Sequence, residues 1–386
     1  MVEVIVVVGH DDPSTEAAAR AVAGKLPDRV KVVIDYNAIK NKPLALNSAI
    51  AACRGDVVGI FDAEDVVHPD LLTHVESCFL SGEVDVVQAG VQLMNYWASW
   101  YAVRNVLEYY FWFRSRLHFQ AGRRFVPLGG NTVFVNRAQL VAIGGWDNNC
   151  LAEDCDLGVR LSVAGARTCV AYDQSLVTRE ECPSTLGSFL RQRTRWNQGY
   201  LQVLRKKDWT RLPLRGSRAL AVWTLAMPFA QAISGVLIPL SLAGLIFMRI
   251  PDAIALLSFL PLLPTLATIA VEVVALHEFG ELYGRRARLR DYCRLVIGAP
   301  FFQVLLGYAA ARAVVREIRG RRNWEKTHHG GTHLVGPVAV PAGDPRSATT
   351  PVALVSIDVG DLERLETDTP AQLASMRPDA GRHSSR

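Results

Sequence analysis

The sequence lacks the paired cysteines and the charge excess that mark several common classes of protein. Its seven cysteines are odd in number and include no Cys-x-x-Cys pair, which argues against a disulfide framework and against a zinc ribbon. The 42 basic and 37 acidic residues leave a net charge of only +5, and no basic stripe interleaved with aromatics occurs in the N-terminal half. We therefore expect no nucleic-acid partner.

The N-terminal residues also lack the pattern of a secretory signal peptide. The long apolar runs are confined to the C-terminal half. No basic region precedes the first apolar run, and aspartates follow it at positions 11 and 12, unlike a secretory signal peptide. Residues 219–248, in contrast, are thirty consecutive residues without Asp, Glu, Lys or Arg. The mean hydropathy of +0.15 thus averages a soluble part and a membrane part.

Short apolar runs alternate with helical segments in the N-terminal half. Strands are predicted at 4–8, 30–34, 56–61, 84–88 and 132–135, and helices at 14–23, 44–52 and 157–164. This alternation predicts an α/β fold with a mostly parallel sheet flanked by helices. In such sheets, ligands bind at the carboxyl ends of the strands.

Two acidic clusters fall at such positions. Asp62 and Glu64 place alternate carboxylates on one side of an extended segment, and hard oxygen ligands of this kind suit Mg²⁺ or Mn²⁺. Asp154 lies in a second cluster just before a predicted helix, where a carboxylate near a metal-bound diphosphate can act as general base on a sugar hydroxyl. The alternative for both clusters is simple helix capping.

A third group of polar residues lies on one helical stretch. Gln192, Arg195 and Trp196 share a helix face by their spacing. Amide and guanidinium donors beside an indole suit a diphosphate and a sugar ring. The alternative is a surface helix with one buried tryptophan.

The segments beyond the α/β part are apolar or aromatic. Residues 97–119 hold nine Phe, Trp and Tyr among three arginines, which favours an interfacial helix at the level of lipid headgroups over a buried helix. Apolar segments follow at 219–248, 253–276 and 295–311, and arginine-rich stretches flank the last of these on both sides. The positive-inside rule then predicts two membrane crossings, with the third segment interfacial or re-entrant. Residues 330–386 are predicted to be disordered, apart from a short apolar run at 352–357.

Five motifs in this order resemble those of the processive inverting family 2 glycosyltransferases, the membrane enzymes related to cellulose and hyaluronan synthases. They are K-P-L-A-L-N (42–47), G-D-V-V-G-I-F-D-A-E-D (55–65), G-G-N (129–131), G-G-W-D with L-A-E-D-C-D-L-G (144–158) and Q-R-T-R-W (192–196). The run N-W-E-K-T-H (323–328) also resembles the end of bacterial members. Together the motifs are far more specific than any one of them.

The resemblance implies a GT-A catalytic domain over 1–211, a membrane region with two or three apolar helices over 212–329 and a tail over 330–386. It also implies the roles of individual residues. Asp62 and Glu64 would bind the metal and the donor diphosphate, Asp12 and Lys42 the nucleotide, Gln192 and Arg195 the donor diphosphate, and Gly130, Asn131 and Trp196 the acceptor, with Asp154 as catalytic base.

By this resemblance, we expect a metal-dependent transferase that uses Mg²⁺ or Mn²⁺ and moves a sugar from a nucleotide donor, expected to be UDP-linked. The acceptor would be a growing β-glycan or a lipid-linked molecule at the inner membrane, with a multi-pass anchor and a cytoplasmic catalytic domain. The other candidate partners are membrane lipid and an export or regulatory subunit. The alternatives are a single-sugar transferase acting on a lipid and a catalytically silent nucleotide-sugar-binding subunit.

The sequence departs from the family pattern at three points. Glu64 stands where a second aspartate is usual, and Ala152 stands where a serine or threonine is usual. The chain also begins at what resembles the family's second strand. We therefore expect the first strand, its nucleotide-contacting loop and the usual N-terminal membrane helices to be missing, and this expectation is the reason why a catalytically silent protein is among the alternatives.

Overall fold

The computed structural model describes residues 2–247, 262–325 and 352–357. Nine strands lie in these ranges: β1 (Val2–Gly9), β2 (Val30–Asp35), β3 (Val57–Asp62), β4 (Val86–Ala89), β5 (Val91–Leu93), β6 (Val133–Asn136), β7 (Thr168–Ala171), β8 (Thr178–Glu180) and β9 (Val352–Ile357). The helices of the N-terminal half are α1 (Pro13–Lys25), α2 (Lys42–Ile50), α3 (Leu71–Leu80), α4 (Ala102–Phe111), α5 (Leu117–Gly122), α6 (Arg137–Ala142), α7 (Glu153–Val163) and α8 (Leu186–Lys206). A π-helical turn, Trp112–Arg116, joins α4 to α5. Three long helices follow: α9 (Arg215–Phe247), α10 (Leu262–Leu282) and α11 (Leu289–Ile318).

Seven strands form one sheet in the order β2-β1-β9-β3-β6-β4-β7, and β5 pairs with β8 in a second, two-stranded sheet. In the large sheet, β1, β2, β3, β4 and β7 run in one direction, while β6 and β9 run the opposite way. The mostly parallel α/β architecture is therefore confirmed. The carboxyl ends of the five co-directional strands lie along one edge of the sheet, where ligands bind in such folds.

Strand β9 comes from the far end of the chain and lies between β1 and β3. Its first residue, Val352, is paired with Val7 on one side and with Asp62 on the other. β9 therefore enters the sheet at the carboxyl-end edge and bridges two parallel strands by running antiparallel to both. The rest of the predicted tail lies outside the described residues.

The two faces of the sheet are buried against helices, as the continuous apolar runs require. On β3, Val58 and Ile60 join the cluster that contains Leu46 of α2, while Val57 and Phe61 join the cluster on the opposite face. Full burial of each such side chain stabilises the fold by about 1.5–3 kcal/mol. This two-sided packing fixes the strand ends from which the site is built.

The interfacial prediction for the aromatic segment is wrong for its first half. α4 is buried along residues 102–107, between the domain and α10, in a cluster that includes Leu276 and Phe279. Its buried Arg104 pairs with the carboxylate of Glu272 on α10 at 2.7 Å. Aromatic and arginine side chains thus fill a protein interface here, although Arg114, Arg116 and Phe119 further along are exposed.

α11 lies along the α/β domain. Near its start, the guanidinium of Arg294 donates to the carbonyl of Trp97 at 3.3 Å, and near its end Arg316 donates to Gln198 at 3.0 Å. Midway, the ring of Phe302 lies 5.7 Å from that of Phe189. α11 therefore follows the domain surface over most of its length.

Among the described residues, α11 is the one helix long and apolar enough to cross a membrane by length and composition. It is continuous through Pro300, so the third apolar segment does not form a re-entrant turn. α9 is also unbroken, whereas the second predicted crossing, 253–276, falls partly in 248–261, outside the described residues. The predicted number of crossings therefore stays a prediction.

Candidate active site

The site begins where β3 ends. Asp62 is the last residue of the strand, and a tight turn follows in which the amide of Asp65 donates to the Asp62 carbonyl at 3.0 Å. The Asp65 carboxylate in turn accepts the Asp62 amide at 2.8 Å. This turn fixes the acidic segment at the carboxyl edge of the sheet, as predicted.

Lys42 connects two segments of the site. It is the first residue of α2, which is capped by the Asn41 side chain. Its Nζ donates to the Asp62 carboxylate and, at 2.7 Å, to the carbonyl of Gly130. Burial alone would lower the pKa of Lys42, but the negative charges of Asp62 and Glu153 outweigh this and raise it. The lysine is therefore a fixed cation within the acidic site.

A partly buried acidic cluster, formed by Asp65 and Glu180, lies beside it. The Nδ2 of Asn131 donates to Asp65 at 3.1 Å and to the carboxylate of Glu180, the last residue of β8. Burial and the charge of Glu180 raise the pKa of Asp65 to about 10. Burial and the charges of Asp62 and Glu64 raise the pKa of Glu180 to about 7. Burial and the crowding of carboxyl groups thus favour the neutral, protonated forms of Asp65 and Glu180.

Asp154 lies in the first turn of α7. Its Oδ1 accepts the backbone amide of Cys155 at 2.7 Å. Burial raises its pKa, while this hydrogen bond and the positive charges of Arg195 and Lys42 act in the opposite direction. Gly130 packs directly against it, because a Cβ on Gly130 would lie 3.1 Å from Asp154 Oδ2. A carboxyl with a raised pKa at a ligand-binding edge has the properties of a general base.

The predicted residues of α8 adjoin α7. The helices approach closely at Gly199, where a Cβ would lie 2.4 Å from the Cβ of Ala152. Arg195 donates to the carbonyl of Leu151 at 3.2 Å, and its guanidinium lies 4.3 Å from the centroid of the Trp324 ring. This second contact brings the chain beyond α11 onto the site.

Trp196 lies on the same helix among aromatic and cationic groups. Its ring centroid is 6.3 Å from that of Tyr109, and the Arg193 guanidinium lies 5.1 Å from it. Arg193 is itself held by Asn105 and the carboxylate of Glu108 on α4. One ring face of Trp196 is thus occupied by Arg193.

Three buried polar atoms at the site have no hydrogen-bond partner within the described ranges. They are Gln192 Oε1, Arg195 Nε and Glu153 Oε2. Burial and the charge of Asp154 raise the pKa of Glu153 to about 7. A buried polar group without a partner costs about 1–3 kcal/mol, so this arrangement favours a polar ligand that completes the set.

Backbone strain lies next to these groups. Thr132 has φ of 51°, in the left-handed region that β-branched residues rarely adopt. Its amide donates to the carbonyl of Ile60 at 2.7 Å and its hydroxyl to that of Thr178 at 2.8 Å, which hold the conformation in place. Strain of this kind is concentrated at functional sites, and here it sets the position of Asn131.

Asp12 has a different local role from the one predicted. It caps α1, with its carboxylate accepting the backbone amide of Thr15 at 3.0 Å and the hydroxyls of Ser14 at 2.8 Å and Thr15 at 2.7 Å. Its oxygens are therefore engaged in capping, and the nucleotide contact stays a prediction. The structure does bring Lys42, Asp62, Gly130, Asp154 and Arg195 together.

Four further site residues were not predicted individually: Asp65, Glu153, Glu180 and Trp324. Asp65 and Glu153 stand inside the acidic motifs, so their type and position were visible. Glu180 ends a three-residue strand, and Trp324 reaches Arg195 only through the tertiary fold. The signal for Trp324 was its place in the N-W-E-K-T-H run.

The acidic residues fit a divalent cation of the magnesium type. Within the part of the chain that is described, no group of three or more His, Cys, Asp or Glu side chains has the geometry of a metal site. Mg²⁺, however, is commonly held by one or two carboxylates together with substrate phosphates. Asp62 and Glu64 provide two carboxylates, and burial together with their negative charges raises the pKa of Glu180, so a cation bound beside them would be favoured.

Comparisons with known proteins are consistent with this site. A model of the family described as glycosyltransferase like family 2 matches residues 1–199. The beta-monoglucosyldiacylglycerol synthase of Synechocystis is 30% identical over 204 residues, 52% of this chain and 41% of that protein. Its Nostoc counterpart is 28% identical over 349 residues, 83% and 69% of the two chains. A cellulose synthase catalytic protein of Dictyostelium discoideum is 27% identical over 186 residues, 47% and 17% of the two chains.

The chain therefore spans less than half the length of the Synechocystis relative. A solved mannosyltransferase from Pyrobaculum calidifontis, in complex with GDP-Man and Mn²⁺, has 17% identity and a TM-score of 0.49, with 83% and 78% of the two chains covered. The family match extends over more than half of the 386 residues and includes every predicted site residue. The chain belongs to glycosyltransferase-like family 2 and has its GT-A-like α/β fold.

Proposed function

We propose that this chain is a membrane-associated inverting glycosyltransferase that moves a sugar from a nucleotide donor to a lipid-linked or glycan acceptor. The observation that carries the proposal is the placement of Asp154. Its carboxylate lies against Gly130, beside two cations, and next to buried polar atoms that lack partners. This arrangement provides a base, a charged binding region and unfilled hydrogen-bonding capacity at one edge of the sheet.

The proposed reaction is a single displacement. The carboxylate of Asp154 takes the proton of an acceptor hydroxyl, and the oxygen forms a bond to the anomeric carbon of the donor sugar. The bond between that carbon and the diphosphate oxygen breaks, and its electron pair leaves with the nucleoside diphosphate. Attack opposite the leaving group inverts the configuration at the anomeric carbon.

The cationic residues have separate roles in this scheme. Arg195, held by the Leu151 carbonyl and the Trp324 ring, presents its guanidinium to the diphosphate. Lys42 holds Asp62 and the Gly130 carbonyl in place. Positive charge fixed before the reaction stabilises the charge that develops on the leaving group.

Asp62 and Glu64 would hold the divalent cation, Mg²⁺ or Mn²⁺. When bound, such a cation supplies Lewis-acid neutralisation of the diphosphate charge. Asn131 and Trp196 would contact the acceptor, and Gln192 the donor diphosphate. Asp12 would act beyond its capping role by contacting the nucleotide.

The acceptor class has two candidates. The Q-R-T-R-W motif favours a growing β-glycan, as in the processive members of the family, and an export or regulatory subunit would then be a partner. The relatives named as glucosyldiacylglycerol synthases favour a single transfer to a lipid. Exposed apolar side chains on α11, including Ile297, Phe301 and Val304, support an acceptor at a membrane surface in either case. A multi-pass anchor with a cytoplasmic site is part of the same proposal.

Product analysis separates these candidates. Membranes containing the full chain are incubated with radiolabelled UDP-glucose and, in parallel, other UDP-sugars, and the products are separated before and after glycosidase digestion. A ladder of lengths supports polymerisation, whereas one discrete glycolipid supports single transfer. Donor binding without any incorporation would overturn the proposed activity and would instead support a catalytically silent subunit.

A further inference from the structure

A cavity between the α10–α11 loop and the start of the aromatic segment is lined by arginines. Its volume is about 370 Å³, and its lining includes Trp97, four arginines (Arg285, Arg286, Arg288 and Arg290) and Asp291. It is built by the loop and the segment before α4, and none of its lining residues belongs to the candidate active site. Four guanidinium groups against one carboxylate leave a strong positive excess.

The one carboxylate, that of Asp291, is hydrogen-bonded by the described residues through only one of its two oxygens, Oδ2. Asp291 is buried at the start of α11, and its Oδ2 accepts the backbone amide of Arg288 at 3.0 Å, which caps the helix. Its Oδ1 lies 3.8 Å from Arg290 and 3.7 Å from Arg294. Within the described residues, the guanidinium groups of Arg285, Arg286 and Arg288 form no ion pair. Three cations of the cavity therefore lack a counter-charge.

The cavity wall is positioned by specific contacts. The guanidinium of Arg285 lies 3.6 Å from the centroid of the Trp97 ring. The hydroxyl of Tyr96 donates to the Arg285 carbonyl at 2.9 Å, and Arg294 donates to the Trp97 carbonyl at 3.3 Å. The loop is thus tied to the segment before α4 through both backbone and side chains, which defines a cavity instead of a diffuse patch of charge.

An exposed apolar surface begins at the same place. Leu289, the first residue of α11, is 80% exposed, and Ile297, Phe301 and Val304 follow on the outward face at 66%, 62% and 61%. The opposite face, with Leu295, Phe302 and Leu306, packs into the protein. A cationic cavity large enough for a phosphate-containing headgroup, next to a stripe of exposed apolar side chains, matches a molecule with an anionic head and acyl chains.

We propose that this cavity binds the phosphate of an anionic glycerophospholipid, whose acyl chains lie along the outward face of α11. Arg286 and Arg288 contact the phosphate oxygens, since guanidinium groups bind phosphate in paired hydrogen bonds. Arg285, held on Trp97, closes one side. The site binds lipid independently of the glycosyl transfer proposed above, and it fixes α11 at the headgroup level.

The test uses the full-length protein and vesicle flotation. Affinity is measured for phosphatidylglycerol vesicles and for phosphatidylcholine vesicles, in wild type and in the triple variant Arg285→Gln/Arg286→Gln/Arg288→Gln. Since each arginine near an anionic surface contributes about 1 kcal/mol, the triple variant is expected to lose about a hundredfold in affinity for phosphatidylglycerol. Affinity for phosphatidylcholine should change little.

Two further variants separate a built site from general charge. Arg20→Gln/Arg29→Gln/Arg167→Gln removes the same charge from exposed positions elsewhere, and it should bind phosphatidylglycerol vesicles as wild type does. Trp97→Leu keeps every charge but releases Arg285, and its affinity for phosphatidylglycerol vesicles should fall about 2- to 30-fold, because a cation–π contact of this kind contributes about 0.5–2 kcal/mol. Equal losses in the two triple variants, or no loss in Trp97→Leu with its circular dichroism intact, would overturn the proposal.

A soluble ligand is the remaining alternative. Glycerol 3-phosphate and inorganic phosphate are titrated into the protein by calorimetry, without vesicles. We expect binding at least a hundredfold weaker than to phosphatidylglycerol vesicles, because the apolar contact is missing. Tight binding of either soluble anion, abolished in the Arg285/Arg286/Arg288 variant, would show that the cavity takes a free phosphate and would refute the lipid assignment.

Discussion

Gly130 and Asp154 are in direct contact: a Cβ on Gly130 would lie 3.1 Å from Asp154 Oδ2 and 3.9 Å from Lys42 Nζ. The space next to the carboxylate is therefore kept free by the absence of a side chain. In the proposed reaction, this is where an acceptor hydroxyl meets the base. The contact joins a glycine from a strained turn to an acid from the first turn of a helix.

Gly130→Ala is expected to slow transfer with the fold intact. A methyl group here displaces the Asp154 carboxylate or narrows the space beside it, and small displacements of a catalytic group cost about 10- to 100-fold in rate. The measurement is kcat on membranes, together with the thermal midpoint. Gly24→Ala is the matched control, since nothing lies within 4 Å of its Cβ. Unchanged turnover in Gly130→Ala would contradict the placement of the acceptor.

The pH dependence should report the environment of Asp154. A base must be deprotonated, and because burial raises its pKa, the acid limb of kcat/KM should lie above the ordinary aspartate value of about 3.9. Arg195 favours the charged form, so Arg195→Gln should raise this pKa and move the limb to higher pH. Arg195→Lys, which keeps the charge, should move it less. If the acid limb of kcat/KM has the same pH midpoint in wild type, Arg195→Gln and Arg195→Lys, then Asp154 is not the titrating group or Arg195 does not influence its pKa.

Trp324 should support donor binding through Arg195. The guanidinium stacks on its ring at 4.3 Å, and such contacts contribute about 0.5–2 kcal/mol. Trp324→Ala is thus expected to raise the donor KM by about 2- to 30-fold. Trp324→Phe retains an aromatic face and should recover much of the loss. If Trp324→Phe and Trp324→Ala raise the donor KM equally, the stacking contact does not contribute to donor binding.

The ion pair between Arg104 and Glu272 should be essential for the stability of the α4–α10 contact. Both side chains are buried, and removal of one partner leaves an unpaired charge that costs about 3–5 kcal/mol. Glu272→Ala should therefore lower the midpoint of thermal unfolding in detergent markedly, while Arg104→Met/Glu272→Leu should restore much of it. Glu16→Ala, which breaks an exposed pair with Arg20, should cost under about 1 kcal/mol. If Glu272→Ala and Glu16→Ala have similar midpoints of thermal unfolding, the buried pair contributes no more to stability than the exposed one.

Much of the sheet could be predicted from the sequence. The runs at 4–8, 30–34 and 56–61 are continuous because β1, β2 and β3 lie in a sheet covered on both faces, and each prediction agrees with the structure within two residues. β5 and β8 have three residues each, too few to show a period. The position of β9 between β1 and β3 depends on pairing between opposite ends of the chain, which local patterns do not encode.

Sequence composition alone could not settle the environment of the aromatic segment. Aromatics and arginines are favoured at a membrane interface, but they equally fill a buried contact when a partner such as Glu272 is present. The same limit on prediction from the sequence applies to the candidate active site. Motif order identified Lys42, Asp62 and Asp154, whereas the capping role of Asp12 and the contact of Arg195 with Trp324 arise from the folded backbone.

In the proposed reaction, Asp154 is the base that deprotonates the acceptor, and a comparison of wild type with Asp154→Asn tests this role directly. Wild type and Asp154→Asn are assayed for incorporation of radiolabelled sugar from a UDP-sugar, with donor affinity measured on the same preparations. General-base catalysis contributes about 10²- to 10⁴-fold, so incorporation by Asp154→Asn should fall by that factor while the donor Kd changes little. Equal incorporation by the two proteins would show that Asp154 is not the base.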